Sequence, residues 1–246
     1  MDAFLGDSSE EEELAAIDAA AEGRDPGGGA HLPAVGGAGL PAGDINGLLR
    51  PRPRRQLPQV PVSPLSLNWL DLSPYGFPES VALSELPGSK FRGRYRDLSA
   101  DITTIRGLDI TDVVCLLTEP EFRKFRVPNL LSDYEAVGLV VYHFPIEDGK
   151  IPENVGAFSR LLVKIRKRIA DGYRVLVHCF GGLGRAVLVG ACLALSLDES
   201  LSAEDVITQM RELRGPRAVQ SVKQFNFLYE YRELCAIEEE EGCVSR

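Results

Sequence analysis

The stretch Val175-Leu176-Val177-His178-Cys179-Phe180-Gly181-Gly182-Leu183-Gly184-Arg185 decides how the chain is organised. It reads as a short apolar strand, a cysteine, a glycine-rich turn and an arginine that opens an apolar helix. The run from Ala186 to Leu197 is too long for a typical strand and too short for a membrane span, so a core helix fits it.

This arrangement carries chemistry. The five residues between Cys179 and Arg185 form one tight loop, whose backbone N–H groups converge at a helix N-terminus. Glycine allows left-handed turns and close approach to a ligand. Converging N–H groups and the helix dipole make an anion site built from Phe180, Gly181, Gly182, Leu183 and Gly184. Arg185 adds a planar fork able to bind two oxygens of a phosphoryl group. The same positive field favours the thiolate of Cys179. A nucleophile beside an oxyanion cradle equips the loop for phosphoryl transfer through a covalent intermediate. The plainer alternative is a buried structural cysteine in an ordinary strand–helix turn.

Working outward, strands alternate with helices. Ser66–Leu72 and Val81–Leu83 read as strands, the first at an edge. Ile102, Ile105 and Leu108 share a helix face between Ser99 and Leu108. Asp112–Leu117 reads as a buried strand, and Pro120–Val137 as helical with a break near Pro128. Leu139–Ile146 is β-rich and runs into the loop Glu147-Asp148-Gly149-Lys150. A helix starting at Pro152 lines up Leu161, Leu162, Ile165 and Ile169 and stops at Gly172. After the Tyr173–His178 strand, Ser202 and Asp205 resemble a capping box for a helix through Leu213. Gly215-Pro216 breaks the chain before a last helix, Val219–Glu241. The expected fold is α/β, a central, mainly parallel sheet with helices on both faces and the cysteine loop at the carboxyl end of a strand.

Composition bounds the rest. Residues 1–62 hold the acidic run Glu10–Glu13, then Gly- and Pro-rich sequence with Arg50, Arg52, Arg54 and Arg55. They carry too few large apolar residues for a core and read as a disordered tail. Residues 63–241 are enough for one domain, leaving a short tail at 242–246. A net charge of −9 argues against general nucleic-acid binding. No stretch reaches the ~18 apolar residues of a membrane span, and the acidic N-terminus lacks the apolar core of a secretory signal. Five cysteines without a framework spacing point to a reduced cytoplasmic or nuclear setting.

Phosphoryl transfer to water also needs a proton for the leaving oxygen, and a carboxylic acid on a mobile loop is the usual source. Asp148 fits, Glu147 is its nearest rival, and a plain turn aspartate before Gly149 is the competing reading. Gln220 or Gln224 orients the hydrolytic water, or is a surface amide. His178 tunes the loop by hydrogen bonding, or is a satisfied strand histidine. His178 and Cys179 have no second ligand pair at zinc spacing, so no metal site is expected, and no cofactor. His31 lies in the tail, and His143 sits in a strand with no partner evident from sequence.

His178-Cys179-x5-Arg185 resembles the signature of the cysteine-dependent protein tyrosine and dual-specificity phosphatases. Further pieces occur in order: Leu86-Pro87-Gly88-Ser89-Lys90-Phe91, Phe125-Arg126-Val127-Pro128-Asn129-Leu130-Leu131, Pro145-Ile146-Glu147-Asp148-Gly149 and Val219-Gln220-Ser221-Val222-Lys223-Gln224-Phe225. With the cysteine loop they resemble the kinase-associated phosphatase (cyclin-dependent kinase inhibitor 3) family between about Ser63 and Cys235. That resemblance implies a dual-specificity phosphatase fold and removal of the activating phosphothreonine from a cyclin-dependent kinase docked as a partner; a monomer is expected. It implies Cys179 as nucleophile, Arg185 as phosphate binder and Asp148 as general acid. One position departs: the family usually carries Ser or Thr after the loop arginine, and here it is Ala186. A missing hydroxyl slows release of sulfur in the second step, so a kinase-docking or phosphoprotein-binding module with weakened turnover is the alternative function. A phosphoinositide phosphatase fits less well, because the loop has no Lys or internal Arg to match a highly charged headgroup. A rhodanese-type sulfur transferase would not need Asp148.

Overall fold

A computed structural model describes residues 64–91 and 93–244, with side chains to residue 237. The tail read as disordered, its arginine cluster and His31 lie outside the described residues. Among the described residues a five-stranded sheet has seven α-helices around it. The strands are β1 (Leu67–Trp69), β2 (Val81–Ser84), β5 (Ile110–Cys115), β6 (Val140–His143) and β7 (Arg174–His178), after β3 (Lys90–Phe91) and β4 (Arg94–Tyr95), which form a separate hairpin. The helices are α1 (Leu98–Gly107), α2 (Glu119–Lys124), α3 (Leu130–Ala136), α4 (Val155–Ala170), α5 (Arg185–Leu197), α6 (Ala203–Arg214) and α7 (Val222–Val244).

The order across the sheet is β1-β2-β7-β5-β6. β1 pairs antiparallel with β2, as an edge strand, and every other pairing is parallel. β7 therefore lies in the centre, between β2 and β5, and is apolar on both faces as a buried parallel strand should be. Its side chains alternate: Val175 and Val177 enter one core, Leu176 the other. The first core is closed by α4, α5, α6 and α7 through Phe158, Ile165, Val187, Val206 and Phe227. The second is closed by α1, α2 and α3 through Ile102, Ile105, Phe122 and Tyr134. This is the expected two-faced α/β architecture, and it sends the Cys179 loop out at the carboxyl end of the central strand.

Two helix starts differ from expectation. α4 begins at Val155, not at Pro152, because Asn154 caps it by accepting the Ala157 N–H at 2.6 Å. α7 begins at Val222 rather than Val219, because Val219 has a left-handed backbone (φ 64°) and the Ser221 hydroxyl accepts the Gln224 N–H at 3.2 Å. α7 continues to Val244, beyond the expected end. The capping box at Ser202 and Asp205, the break after Leu213 and the split of Pro120–Val137 into α2 and α3 are as read. Leu161, Leu162, Ile165 and Ile169 of α4 are all buried. His143 has a partner, its Nε2 lying 2.8 Å from the Leu117 carbonyl oxygen. The described cysteines 115, 179, 192 and 235 are free. No described helix is long and apolar enough to cross a membrane.

Phe158 anchors the larger core. It is fully buried, with ring centroids of Phe144, Phe227 and Tyr231 at 5.8, 6.0 and 6.4 Å. Phe158→Ala should lower the free energy of unfolding by about 3–5 kcal/mol, read from urea denaturation. A loss under about 1 kcal/mol would contradict this packing.

Candidate active site

Cys179 follows β7 directly and is buried, and its Sγ accepts the N–H of Gly182 at 3.2 Å. The loop's carbonyls are occupied from outside. Phe180 O accepts from Leu86 N, Gly182 O from the Arg214 Nε–H, Leu183 O from Val219 N and Gly184 O from Leu188 N, all at 2.8–3.0 Å. In a trans peptide the N–H points opposite to the preceding carbonyl. The N–H groups of Gly181, Leu183, Gly184 and Arg185 therefore face away from those partners, while that of Gly182 reaches the sulfur. That is an anion-binding nest made of backbone.

Of the three loop glycines only Gly182 is left-handed (φ 67°). A Cβ there would stand 2.4 Å from Ser84 O and 2.5 Å from Arg214 Nη2, so no side chain fits. Gly184 is crowded by side chains only: a Cβ there would stand 2.8 Å from Gln220 Oε1, which would have to shift. Gly181 faces open space. Val219, which holds Leu183, is a β-branched residue in a left-handed conformation, a costly geometry of the kind that gathers around functional sites.

Arg185 opens α5 and is 1% exposed. Its guanidinium makes a fork to Glu121, Nη1 to Oε2 at 2.7 Å and Nη2 to Oε1 at 2.8 Å. Nη1 also donates to the carbonyls of Ile146 (2.8 Å) and Leu116 (3.3 Å), which follow β6 and β5. Nε is buried without a hydrogen-bond partner among the described residues. Burial alone would raise the Glu121 carboxyl, but the hydrogen bonds from Arg185 and from Thr118 outweigh it and hold the pKa below its ordinary value. Burial likewise works against the Arg185 charge, yet Glu121, the sulfur of Cys179 and Asp148 raise its pKa overall.

The sequence-selected residues gather here to different degrees. Asp148 Oδ1 lies 3.2 Å from Arg185 Nη2, and its side chain is 72% exposed. Its rival Glu147 pairs instead with Lys150, across the turn. Gln220 and Gln224 both reach the Gly184 edge of the loop. Gln224 is buried, accepts the Gln220 N–H at 3.1 Å and donates to Lys150 O at 3.2 Å, so it is not a surface amide. His178 is fully buried, with Nε2 at 3.3 Å from the Tyr134 hydroxyl, and burial pushes its pKa down to about 3. Among the described residues no cluster of His, Cys, Asp or Glu could hold a metal ion.

Two contributors were not singled out by sequence. Glu121 stands 64 residues before Arg185, and its only local signal, Thr118-x-x-Glu121, reads as a helix cap. Arg214, which follows the expected helix end at Leu213, clamps Gly182 and donates to Asn68 Oδ1 at 2.5 Å. Burial lowers its pKa, with the nearby sulfur and Glu85 acting in the opposite sense. Beside the loop Phe180 stacks on Phe125 (centroids 4.1 Å), and Phe91 meets both edge-on. Arg94 lies 5.4 Å from the Phe180 ring, and Lys124 lies 5.4 Å from that of Phe91. A thiol, an inward-facing backbone nest, an immobilised guanidinium and an exposed carboxyl together can accept an anionic tetrahedral group and supply or take a proton.

Two outcomes test this geometry. Glu121→Ala leaves a buried guanidinium unpaired and should cost about 3–5 kcal/mol of stability, measured by urea denaturation, where a cost under about 1 kcal/mol would speak against it. For His178 the folded pKa lies below the unfolded value of 6.5, so the unfolded state binds the extra proton and stability falls as pH drops below about 6.5. Between pH 7.5 and 5.5 this group alone should remove about 1 kcal/mol. An imidazole of His178 that titrates near neutrality by NMR would contradict its burial.

A family model described as cyclin-dependent kinase inhibitor 3 (CDKN3) matches residues 58–207. Cyclin-dependent kinase inhibitor 3 of Rattus norvegicus is 37% identical over 174 residues, covering 71% of this chain and 82% of that protein. Protein tyrosine phosphatase type IVA 3 of Homo sapiens is 38% identical over 100 residues, 40% of this chain and 55% of that protein. A crystal structure of kinase associated phosphatase, with its catalytic-site cysteine substituted by serine, is 36% identical with a TM-score of 0.68, covering 71% of this chain and 97% of that one. Family model, relatives and fold agree with the strand–cysteine–loop–arginine geometry, and the chain belongs to the cyclin-dependent kinase inhibitor 3 family of cysteine-dependent, dual-specificity protein phosphatases.

Proposed function

We propose that the chain hydrolyses phosphothreonine or phosphotyrosine in a protein through a phosphocysteine intermediate, and that its substrate is the activation segment of a cyclin-dependent kinase. The observation that carries the chemistry is one loop bounded by Cys179, whose Sγ accepts the Gly182 N–H, and by the immobilised Arg185, whose Nη2 lies 3.2 Å from Asp148 Oδ1. The choice of kinase rests on the names of the relatives, cyclin-dependent kinase inhibitor 3 and kinase associated phosphatase, carried over to this chain. A cytoplasmic or nuclear setting and a role in the cell cycle follow from that substrate.

In the first step the Cys179 thiolate attacks phosphorus, a sulfur–phosphorus bond forms and the bond to the side-chain oxygen breaks. Loop N–H groups and Arg185 carry the charge on the equatorial oxygens. The leaving oxygen takes a proton from Asp148, whose exposure lets it meet a bulky protein substrate. An incoming phosphoryl oxygen replaces Asp148 at Arg185 Nη2 and frees the carboxyl for this role. In the second step water attacks phosphorus, the sulfur leaves as thiolate and Asp148 takes the water's proton. Gln220, at the Gly184 edge, is suited to orient that water. The sequence of bonds uses no cofactor.

Ala186 favours a second reading. It is fully buried in the first turn of α5 and brings no hydroxyl to the departing sulfur. The first step is untouched by this, whereas the second slows, so a long-lived phosphoenzyme would make the chain act more as a kinase-docking module than as a rapid enzyme.

Rapid mixing with an aryl phosphate distinguishes the readings. A burst of phenol equal to the enzyme, followed by slow turnover, is expected for wild type, and Cys179→Ser should abolish it. Ala186→Ser should raise steady-state turnover about five- to hundredfold, the worth of ~1–3 kcal/mol for one restored hydrogen bond in the transition state. An unchanged steady-state rate would refute the assignment of Ala186, and absence of both burst and turnover would leave only docking.

A further inference from the structure

Asp148 sits on the turn Glu147–Lys150, and little of that turn is buried. Glu147 and Lys150 pair with each other, half-exposed, and the Lys150 N–H closes the turn on Glu147 O at 3.0 Å. Gly149 is left-handed (φ 71°), with open space around it. Packing therefore does not hold Asp148 over the loop. Besides the Asp148 ion pair with Arg185, which an incoming phosphoryl group would displace, two tethers from the start of α7 hold the turn: the Ser221 hydroxyl donates to Gly149 O at 2.7 Å, and Gln224 Nε2 donates to Lys150 O at 3.2 Å. The shorter of the two accepts at the carbonyl of Gly149, the residue that follows Asp148.

Ser221 has two roles in one atom. Its Oγ accepts the Gln224 N–H at 3.2 Å, capping α7, while its proton goes to Gly149 O. The two residues before Ser221, Val219 and Gln220, brace the cysteine loop, through Val219 N on Leu183 O and Gln220 beside Gly184. The start of α7 thus registers the carboxyl against the nucleophile's loop by short, specific bonds from adjacent residues. General acid catalysis needs the carboxyl within hydrogen-bond reach of the leaving oxygen, and small misplacements are costly.

We propose that Ser221 is a positioning residue, which holds Asp148 in place for proton delivery through the hydrogen bond from its hydroxyl to the Gly149 carbonyl. This rests on the phosphatase reading above and on Asp148 as its acid. No contact of Ser221 with substrate is required.

The test separates the tether from the cap. Ser221→Ala loses both, whereas Ser221→Asp keeps an acceptor for the Gln224 N–H but has no proton for Gly149 O. Ser221→Thr keeps both. In the full chain, first-step rates from rapid mixing should be compared for phenyl phosphate, whose leaving oxygen needs the proton, and p-nitrophenyl phosphate, whose leaving oxygen needs it far less. Ala and Asp variants should each lose about three- to tenfold on phenyl phosphate, the effect of one ordinary hydrogen bond, and less than twofold on p-nitrophenyl phosphate. The Thr variant should match wild type, and neither loss should persist in an Asp148→Asn background. Equal losses on both substrates, or losses undiminished beside Asp148→Asn, would overturn the proposal. If Asp148→Asn itself leaves the difference between the two substrates unchanged, the acid assignment fails rather than the tether alone.

Discussion

The buried ion pair between Arg185 and Glu121 is the constraint on which the rest of the site depends. A guanidinium at 1% exposure is expensive to desolvate and persists only when its donors are answered with good geometry. Here the answer comes from three separate parts of the chain: the Glu121 carboxylate and the carbonyls of Leu116 and Ile146. The pairing therefore works as a staple across the carboxyl ends of β5 and β6, and it fixes the start of α5 relative to both. It also leaves the buried Nε of the same side chain unclaimed by protein groups among the described residues. A charge held this rigidly needs no reorganisation when a phosphoryl group develops charge in transit, which is where electrostatic preorganisation gains most.

Around that staple the loop is shaped by what grips its back. Four of its carbonyls are taken by outside donors, and one of the donors, Arg214, is itself a half-buried cation. Gly182 is forced by its left-handed backbone and by the Ser84 carbonyl, while the two glutamine side chains crowd Gly184. The anion site is thus a property of backbone orientation, imposed by neighbours on β2, α6 and the approach to α7. Val219 shows the cost: its left-handed backbone is maintained because the surrounding contacts over-determine it.

Much of this was legible in sequence because it is local. The short, continuous apolar run of β7, the glycine spacing and the helix that follows announce a strand–loop–helix unit, and the apolar spacing of Leu161, Leu162, Ile165 and Ile169 announces a buried helix face. Asp148 was legible as a loop carboxyl, but its preference over Glu147 was not, since that depends on which of two adjacent side chains pairs with Lys150. Glu121 and Arg214 escaped for the same reason. Their partners lie 64 and 32 residues away, and neither pairing leaves a period or motif behind. The helix starts missed were those where a single cap, Asn154 or Ser221, overrode a proline or a β-branched residue that looked suitable.

The aromatic trio beside the loop bears on ligand discovery. Because the phosphate nest is nearly all main chain, a small molecule confined to it would find the same surface in any enzyme that folds this loop. Phe91, Phe125 and Phe180, with Arg94 and Lys124 near their rings, are side chains, so that wall is set by residue identity and not by backbone shape alone. Selective inhibitors should pair an anionic head with a flat, electron-rich arm reaching that wall, where affinity can be gained without relying on the charge shared by the whole class.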